Sequence, residues 1–269
     1  MYRLIRIDFR KYMYNKPFWV LLSIYVVLNV IAFFSVESIL NNMVVNAEKN
    51  SPMPVTIPGF TLYNFPLIWH NLTFLGGFFK IWLALIVIIS ITGEFSNKTI
   101  RLNIMAGLSR TDFLFSKVLF VGLLSFLSVL VLFLSGAILG MIKSEQLTLI
   151  LFVEKIAFLP AYFLELFAFS TFAMAFAFVI QRTGLSIALF ALYYYLIEWV
   201  LSFALPDEIA DYLPIESMGN LIDAPNSSLM QMFGVNFSEV VSIPDVITSV
   251  IYCLLSILIV YLMINRRDI

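Results

Sequence analysis

An all-α membrane protein with six transmembrane helices and both ends in the cytosol is the fold class that this 269-residue chain predicts. Composition is the first reason. Apolar residues make up 61% of the chain and charged residues 12%, at a mean hydropathy of +0.97. A soluble domain is about half apolar and about a quarter charged, so this chain needs lipid to cover it. The second reason is length: the runs 17–36, 72–91, 118–142, 156–180, 185–205 and 246–264 each reach the roughly 20 apolar residues that a helix needs to cross a bilayer. The third is the placement of positive charge. Twelve of the sixteen Lys and Arg residues fall in 1–17, 93–117, 181–184 and 265–269, the segments that alternate with the outer loops. Short cytosolic segments carry such an excess, so these four are read as inside.

The remaining bulk properties mainly exclude. A net charge of −1 offers no basic surface for nucleic acid. Cys253 is the only cysteine, which rules out an intrachain disulfide or a cysteine metal cluster. His70, also the only one of its kind, is weak support for a metal site and reads as an interfacial residue near the outer surface. The first apolar run is of full spanning length and lacks a small-x-small cleavage site, which argues against a cleaved leader.

Taken in chain order, the first element is basic and amphipathic. Arg3, Arg6 and Arg10 recur at helical spacing, while Tyr2, Ile5, Phe9, Tyr12 and Met13 line another face. Such a helix lies along the cytosolic leaflet; a generic topological anchor would show the same pattern. Pro17 suits the start of span one. An outer loop, 37–71, then carries Pro52, Pro54, Pro58 and Pro66. The inner loop 93–117 between spans two and three has more order than a connector needs. Ser96 is placed to cap a short helix with Ile100, Ile104 and Leu108 on one side and Gly107 at its end. Ser109-Arg110-Thr111-Asp112 is then an S-x-x-D start signal for span three. Within that span, Gly136-x-x-x-Gly140 permits close helix approach, expected as packing inside the bundle. A short outer loop, 143–155, an inner turn, 181–184, and a long outer loop, 206–245, complete the order. Trp19, Trp69, Trp199 and Tyr252 read as interface or bundle aromatics.

Lys80, Glu165 and Glu198 are ionisable residues inside spans. Counted inward at ~1.5 Å per residue, they sit at comparable depths of about 12, 14 and 10 Å from the outer ends. An unpaired charge there costs about 2.5–3.5 kcal/mol or more, so Lys80 is expected to contact Glu165 or Glu198. Tyr194 and Tyr195 lie one turn before Glu198 as candidate donors. Pro160 is placed to bend span four before Glu165. This group is either an interhelical clamp or a polar patch on a translocation path.

The stretch Thr92-Gly93-Glu94-Phe95-Ser96-Asn97-Lys98-Thr99-Ile100-Arg101, followed by Gly107-Leu108-Ser109-Arg110, Phe113 and Ser116-Lys117, resembles the cytosolic loop of ABC-2 type permeases. These are the membrane subunits of type-2 ABC exporters, including bacitracin-resistance-like and gliding-motility-like transporters. The resemblance extends in outline over the whole chain, as a single transmembrane domain. It implies a second permease chain, identical or related, and two copies of a separate ATP-binding subunit that holds ATP and Mg. It also implies residence in the bacterial cytoplasmic membrane and movement of a hydrophobic or amphipathic substrate outward. By the same resemblance, Glu94, Lys98, Thr99, Arg101, Ser109 and Arg110 lie on or beside the coupling helix that meets the ATPase, and Tyr2–Tyr14 is the interfacial connecting helix. No G-x-x-x-x-G-K-[ST] phosphate loop occurs in the chain, so no ATPase site or cofactor of its own is expected. An ion-coupled carrier using Lys80, Glu165 and Glu198, or a non-transporting scaffold or immunity subunit, would have the same topology. A carrier is disfavoured because no interrupted helices recur in matching positions of two halves.

Overall fold

The computed structural model describes residues 16–50, 62–97, 109–144, 148–226 and 240–266. The amphipathic start with Arg3, Arg6 and Arg10, and Lys98, Thr99 and Arg101 of the inner loop, lie outside the described residues. Those described are helices and their connections, without a strand among them. Five helices are long and apolar enough to cross a membrane, and a bent pair makes the sixth if it is taken as one span.

Helix α1 (Lys16–Asn50) starts beside Pro17 and runs for 35 residues. At 1.5 Å per residue it is about 52 Å long, well beyond the ~30 Å hydrocarbon core. The outer loop expected from residue 37 is therefore helical as far as Asn50. The physical reason lies in the chain itself: residues 37–50 contain no glycine or proline, and Pro52 is the first breaker. Helix α2 (Ile68–Gly77) and helix α3 (Lys80–Ser96) together occupy the second apolar run but are bent by 47° at their junction. Gly76 and Gly77 let the neighbouring chain press close at this break, since a methyl on Gly76 would stand 2.6 Å from the Tyr162 hydroxyl and one on Gly77 3.2 Å from Glu165 Oε1.

Helix α4 (Arg110–Lys143) begins as its start signal predicts. Ser109 is extended at the N-cap and its hydroxyl accepts from the Asp112 amide at 3.1 Å. The Ser96 hydroxyl donates to the Thr92 carbonyl in the last turn of α3; the short helix it was expected to cap lies outside the described residues. Helix α5 (Leu149–Glu154) leads into helix α6 (Phe158–Ile180). α6 is the hub of the bundle, packed on α3, α4 and the last helix. Gln181 ends it in the left-handed conformation at φ 60°, turning the chain into helix α7 (Thr183–Leu192).

The fifth apolar run is not one regular helix. A π-turn, Tyr193–Ile197, separates α7 from helix α8 (Glu198–Ala204). The outer segment after it, expected as a loop from residue 206, contains the short helices α9 (Asp207–Ala210) and α10 (Pro214–Gly219). Helix α11 (Ile243–Arg266) completes the order.

Aromatic packing holds the outer half together. Trp69 is fully buried; its indole donates to the Phe152 carbonyl at 2.8 Å and stacks on Phe133. Gly136 and Gly140 seat Trp69 and Phe65 against α4, so the Gly-x-x-x-Gly pair serves packing within this bundle. Above them, Glu37 of α1 accepts from the Leu62 amide and Ser144 accepts from the Phe65 amide. Tyr63 donates to the Phe33 carbonyl. Burial pushes the Tyr63 phenol above its ordinary range. Trp19 and Trp199 remain exposed on the bundle surface, as lipid-interface aromatics are. His70, expected at the surface, is instead 1% exposed; it stacks on Phe158 and bonds the Asp223 carbonyl at 2.8 Å. It ties the outer segment to the bundle.

Candidate functional site: two ion pairs on one helix

Lys80 and Glu165 meet. Nζ donates to Oε1 at 2.8 Å, with the two side chains 9% and 4% exposed. The geometry follows from local structure. The α2–α3 break puts Lys80 in the first turn of α3, where an ammonium opposes the positive end of the helix dipole. A carboxylate is therefore needed close by, and Glu165 reaches it from α6 past Gly77, whose missing side chain leaves the space. Nζ also lies 5.4 Å from the Phe169 ring centre, at the edge of the range for attraction to an aromatic face.

The pair opens on a cavity of about 150 Å³ lined by Phe74, Gly77, Phe78, Lys80, Glu165, Tyr194, Gly219 and Ile222. α10 and the residues after it, which belong to the outer segment, form one wall through Gly219 and Ile222.

Glu198 does not join this pair. Its Oε1 accepts from the backbone amides of Ile215 at 2.5 Å and Glu216 at 2.8 Å. Amides at a helix start have no partner within the helix, and a carboxylate satisfies them as a cap. Glu198 thus holds α10, and through it the cavity wall, against α8. The expected donors to Glu198 are also different: Tyr193 faces it. The π-turn adds a residue between the two, beyond the α-helical spacing on which Tyr194 and Tyr195 were expected. Tyr194 turns to the cavity and packs on Phe169. Tyr195 is 64% exposed on the bundle surface and takes no part in the group. Two further bonds anchor the segment: Tyr252 donates to the Tyr212 carbonyl, and Ser249 donates to the Ser217 carbonyl.

At the other end of α3 stands a second pair. Glu94 Oε1 accepts from Lys117 Nζ at 2.7 Å, with side chains 1% and 0% exposed. Glu94, assigned by resemblance to the docking set, is 1% exposed and faces Lys117 inside the bundle. Its partner, Lys117, reads in the sequence as a topology charge. The signal that could have paired them is their position: each lies near one end of the inner loop, on helices that the loop forces to be neighbours. The pair clamps α3 to α4 where both enter the loop. Thr92 and Thr183 hydroxyls, 2.9 Å apart, tie the same end of α3 to α7. Of the other docking residues described, Ser109 caps α4, and Arg110 donates through Nη1 to the Asn265 carbonyl at 2.8 Å. A cation there complements the C-terminal end of α11.

Among the described residues no group of three or more His, Cys, Asp or Glu side chains could hold a metal ion.

A family model described as ABC-2 family transporter protein matches residues 2–269, the chain almost end to end. Comparison with curated proteins finds no match.

Proposed function

Since the chain belongs to the ABC-2 transporter family and is a multi-pass membrane permease subunit, we propose that it exports its substrate using ATP hydrolysed by a separate subunit that docks on the inner loop, residues 97–109. The observation that carries this reading is the placement of both ion pairs on α3. Glu94 and Lys80 are 14 residues apart, 94 minus 80, or about 21 Å along a helix. One end is clamped to α4 beside the inner loop, and the other holds a charge at the cavity. A displacement of the loop moves α3 and α4 together and carries Lys80 with them. A rigid element that joins the place where force is applied to the place where a ligand would sit is what an ATP-driven path requires.

In this reading the chain supplies no catalytic residue. ATP and Mg belong to the partner, two copies of which serve a pair of permease chains, in a bacterial cytoplasmic membrane. Lys98, Thr99 and Arg101 form the docking surface; Glu94 acts behind it by holding the two spans in register. The family match supports a permease over a carrier or a scaffold.

The test is reversal of the loop's charge. Lys98→Glu with Arg101→Glu is expected to leave expression and melting temperature unchanged and to abolish copurification of an ATP-hydrolysing subunit in mild detergent. Undiminished copurification would refute the docking assignment.

A further inference from the structure

We infer that the cavity at Lys80 and Glu165 is a recognition site for an amphiphile whose head group carries a primary ammonium beside a phosphate. The inference rests on the permease reading and names the class of molecule that the path takes.

The pair is chemically incomplete. An ammonium has three donors and a carboxylate two acceptor oxygens, yet the bond between Nζ and Oε1 is the hydrogen bond recorded for each side chain. Glu165 Oε2 faces the space in front of Gly77, where a methyl carbon would stand 3.6 Å from it. Two ammonium hydrogens and one carboxylate oxygen thus remain on a pair that lines the cavity. A buried ion pair is stable when further hydrogen bonds complete both charges. Tyr194 also lines the cavity, and a phenol can act as donor or acceptor.

The residues select the chemistry. A simple anion would suit Lys80 and be repelled by Glu165; a simple cation would meet the reverse. A group with an anion and an N–H cation side by side completes both partners at once. A quaternary ammonium has charge but no hydrogen to give Oε2. The walls select for an apolar body. Phe74, Phe78 and Ile222 line the cavity, and Phe78 is 64% exposed, so an aromatic surface continues from the pair to the outside of the bundle. A volume of about 150 Å³ equals about five waters at ~30 Å³ each, room for a head group while the chains lie along the phenylalanines.

Gly219 provides a way to fill the cavity without removing either charge. A methyl there would stand 4.0 Å from Lys80 Nζ, in ordinary contact. The experiment uses the full-length chain purified from vesicles with equal parts phosphatidylethanolamine, phosphatidylcholine and phosphatidylglycerol, with retained lipid counted by native mass spectrometry. Phosphatidylethanolamine should be retained about tenfold over the other two, the ratio that ~1.4 kcal/mol gives. Gly219→Leu and the double variant Lys80→Met/Glu165→Leu should both lose this preference, with Gly219→Leu keeping the wild-type melting temperature. Equal retention of the three lipids by the wild-type chain, or an unchanged preference in Gly219→Leu, would overturn the inference. If copurification of the ATPase persists while the preference is missing, the substrate class alone is wrong. If the preference is present while no ATPase copurifies, the export reading fails and the lipid site stands.

Discussion

Helix α3 carries two lysine–glutamate pairs of almost equal length, 2.8 Å for Lys80–Glu165 and 2.7 Å for Glu94–Lys117, in different surroundings. The inner pair is sealed: neither side chain exceeds 1% exposure, and Phe113 and Phe178 are buried with it. The outer pair is less enclosed, at 9% and 4% exposure, and borders a cavity. The same chemistry therefore does two jobs. A closed pair resists separation because either charge left alone would be stranded in a medium that cannot solvate it. An open pair can exchange one partner for another, which a clamp cannot do and a binding site must.

That contrast sets the order of the expected effects. Breaking the sealed pair should cost most. Lys117→Met takes from the buried Glu94 carboxylate the ammonium that faces it, a loss of about 3–5 kcal/mol, read as a steep drop in detergent-extractable folded protein. Glu94→Leu together with Lys117→Met should recover most of that drop; a double variant as poor as the single would show that the pair is not what holds α3 to α4.

The open pair should respond less in stability and more in function. Lys80→Met is expected to lower stability by about 1–3 kcal/mol, because water admitted to the cavity can solvate Glu165. It should nevertheless remove substrate-stimulated ATPase activity in the assembled transporter. Lys80→Met/Glu165→Leu should be milder than Lys80→Met alone in thermal melting, with stimulation still absent. If both pairs lost equal stability when broken, the distinction between clamp and site would fall.

Away from the pairs, Gly136→Leu forces a side chain into Trp69 and Leu72, with a methyl carbon already 2.8 Å from the indole. Overpacking of this kind costs about 1–3 kcal/mol and should appear in melting temperature with lipid preference unchanged. The smallest effect is expected from Ser109→Ala, the loss of one helix cap worth about 1 kcal/mol, seen as earlier proteolysis at the start of α4.

Much of this was legible without coordinates, for reasons local to the chain. Long apolar runs must be helical in lipid, because each backbone amide and carbonyl needs a partner within the segment. The Ser109–Asp112 cap is set by residues three apart, and the Gly136–Gly140 spacing by one helical turn. That Lys80 meets an acid follows from depth: a charge in hydrocarbon requires an opposite one at its own level, and Glu165 and Glu198 both stood there.

Other features depend on neighbours that sequence spacing does not reveal. One lysine and two carboxylates of similar depth could pair in more than one way. Glu198 was withdrawn from that choice by α10, whose open amides fold back onto it from 17 and 18 residues away. The π-turn swapped Tyr193 for Tyr194 and Tyr195, because one extra residue per turn rotates every later side chain and hydropathy does not register it. His70 was drawn inward by the outer segment, and α1 ran on to Asn50 because nothing before Pro52 stops it.

The sequence by itself determined the solvent, the helical character and the spans of this protein, since these depend on the free energy of each segment in lipid. Which acid meets which lysine, which end of α3 is closed and which open, and what walls the cavity were decided by tertiary structure alone. Those outcomes turn on distances between segments far apart in the chain, and such distances exist only once the helices have packed.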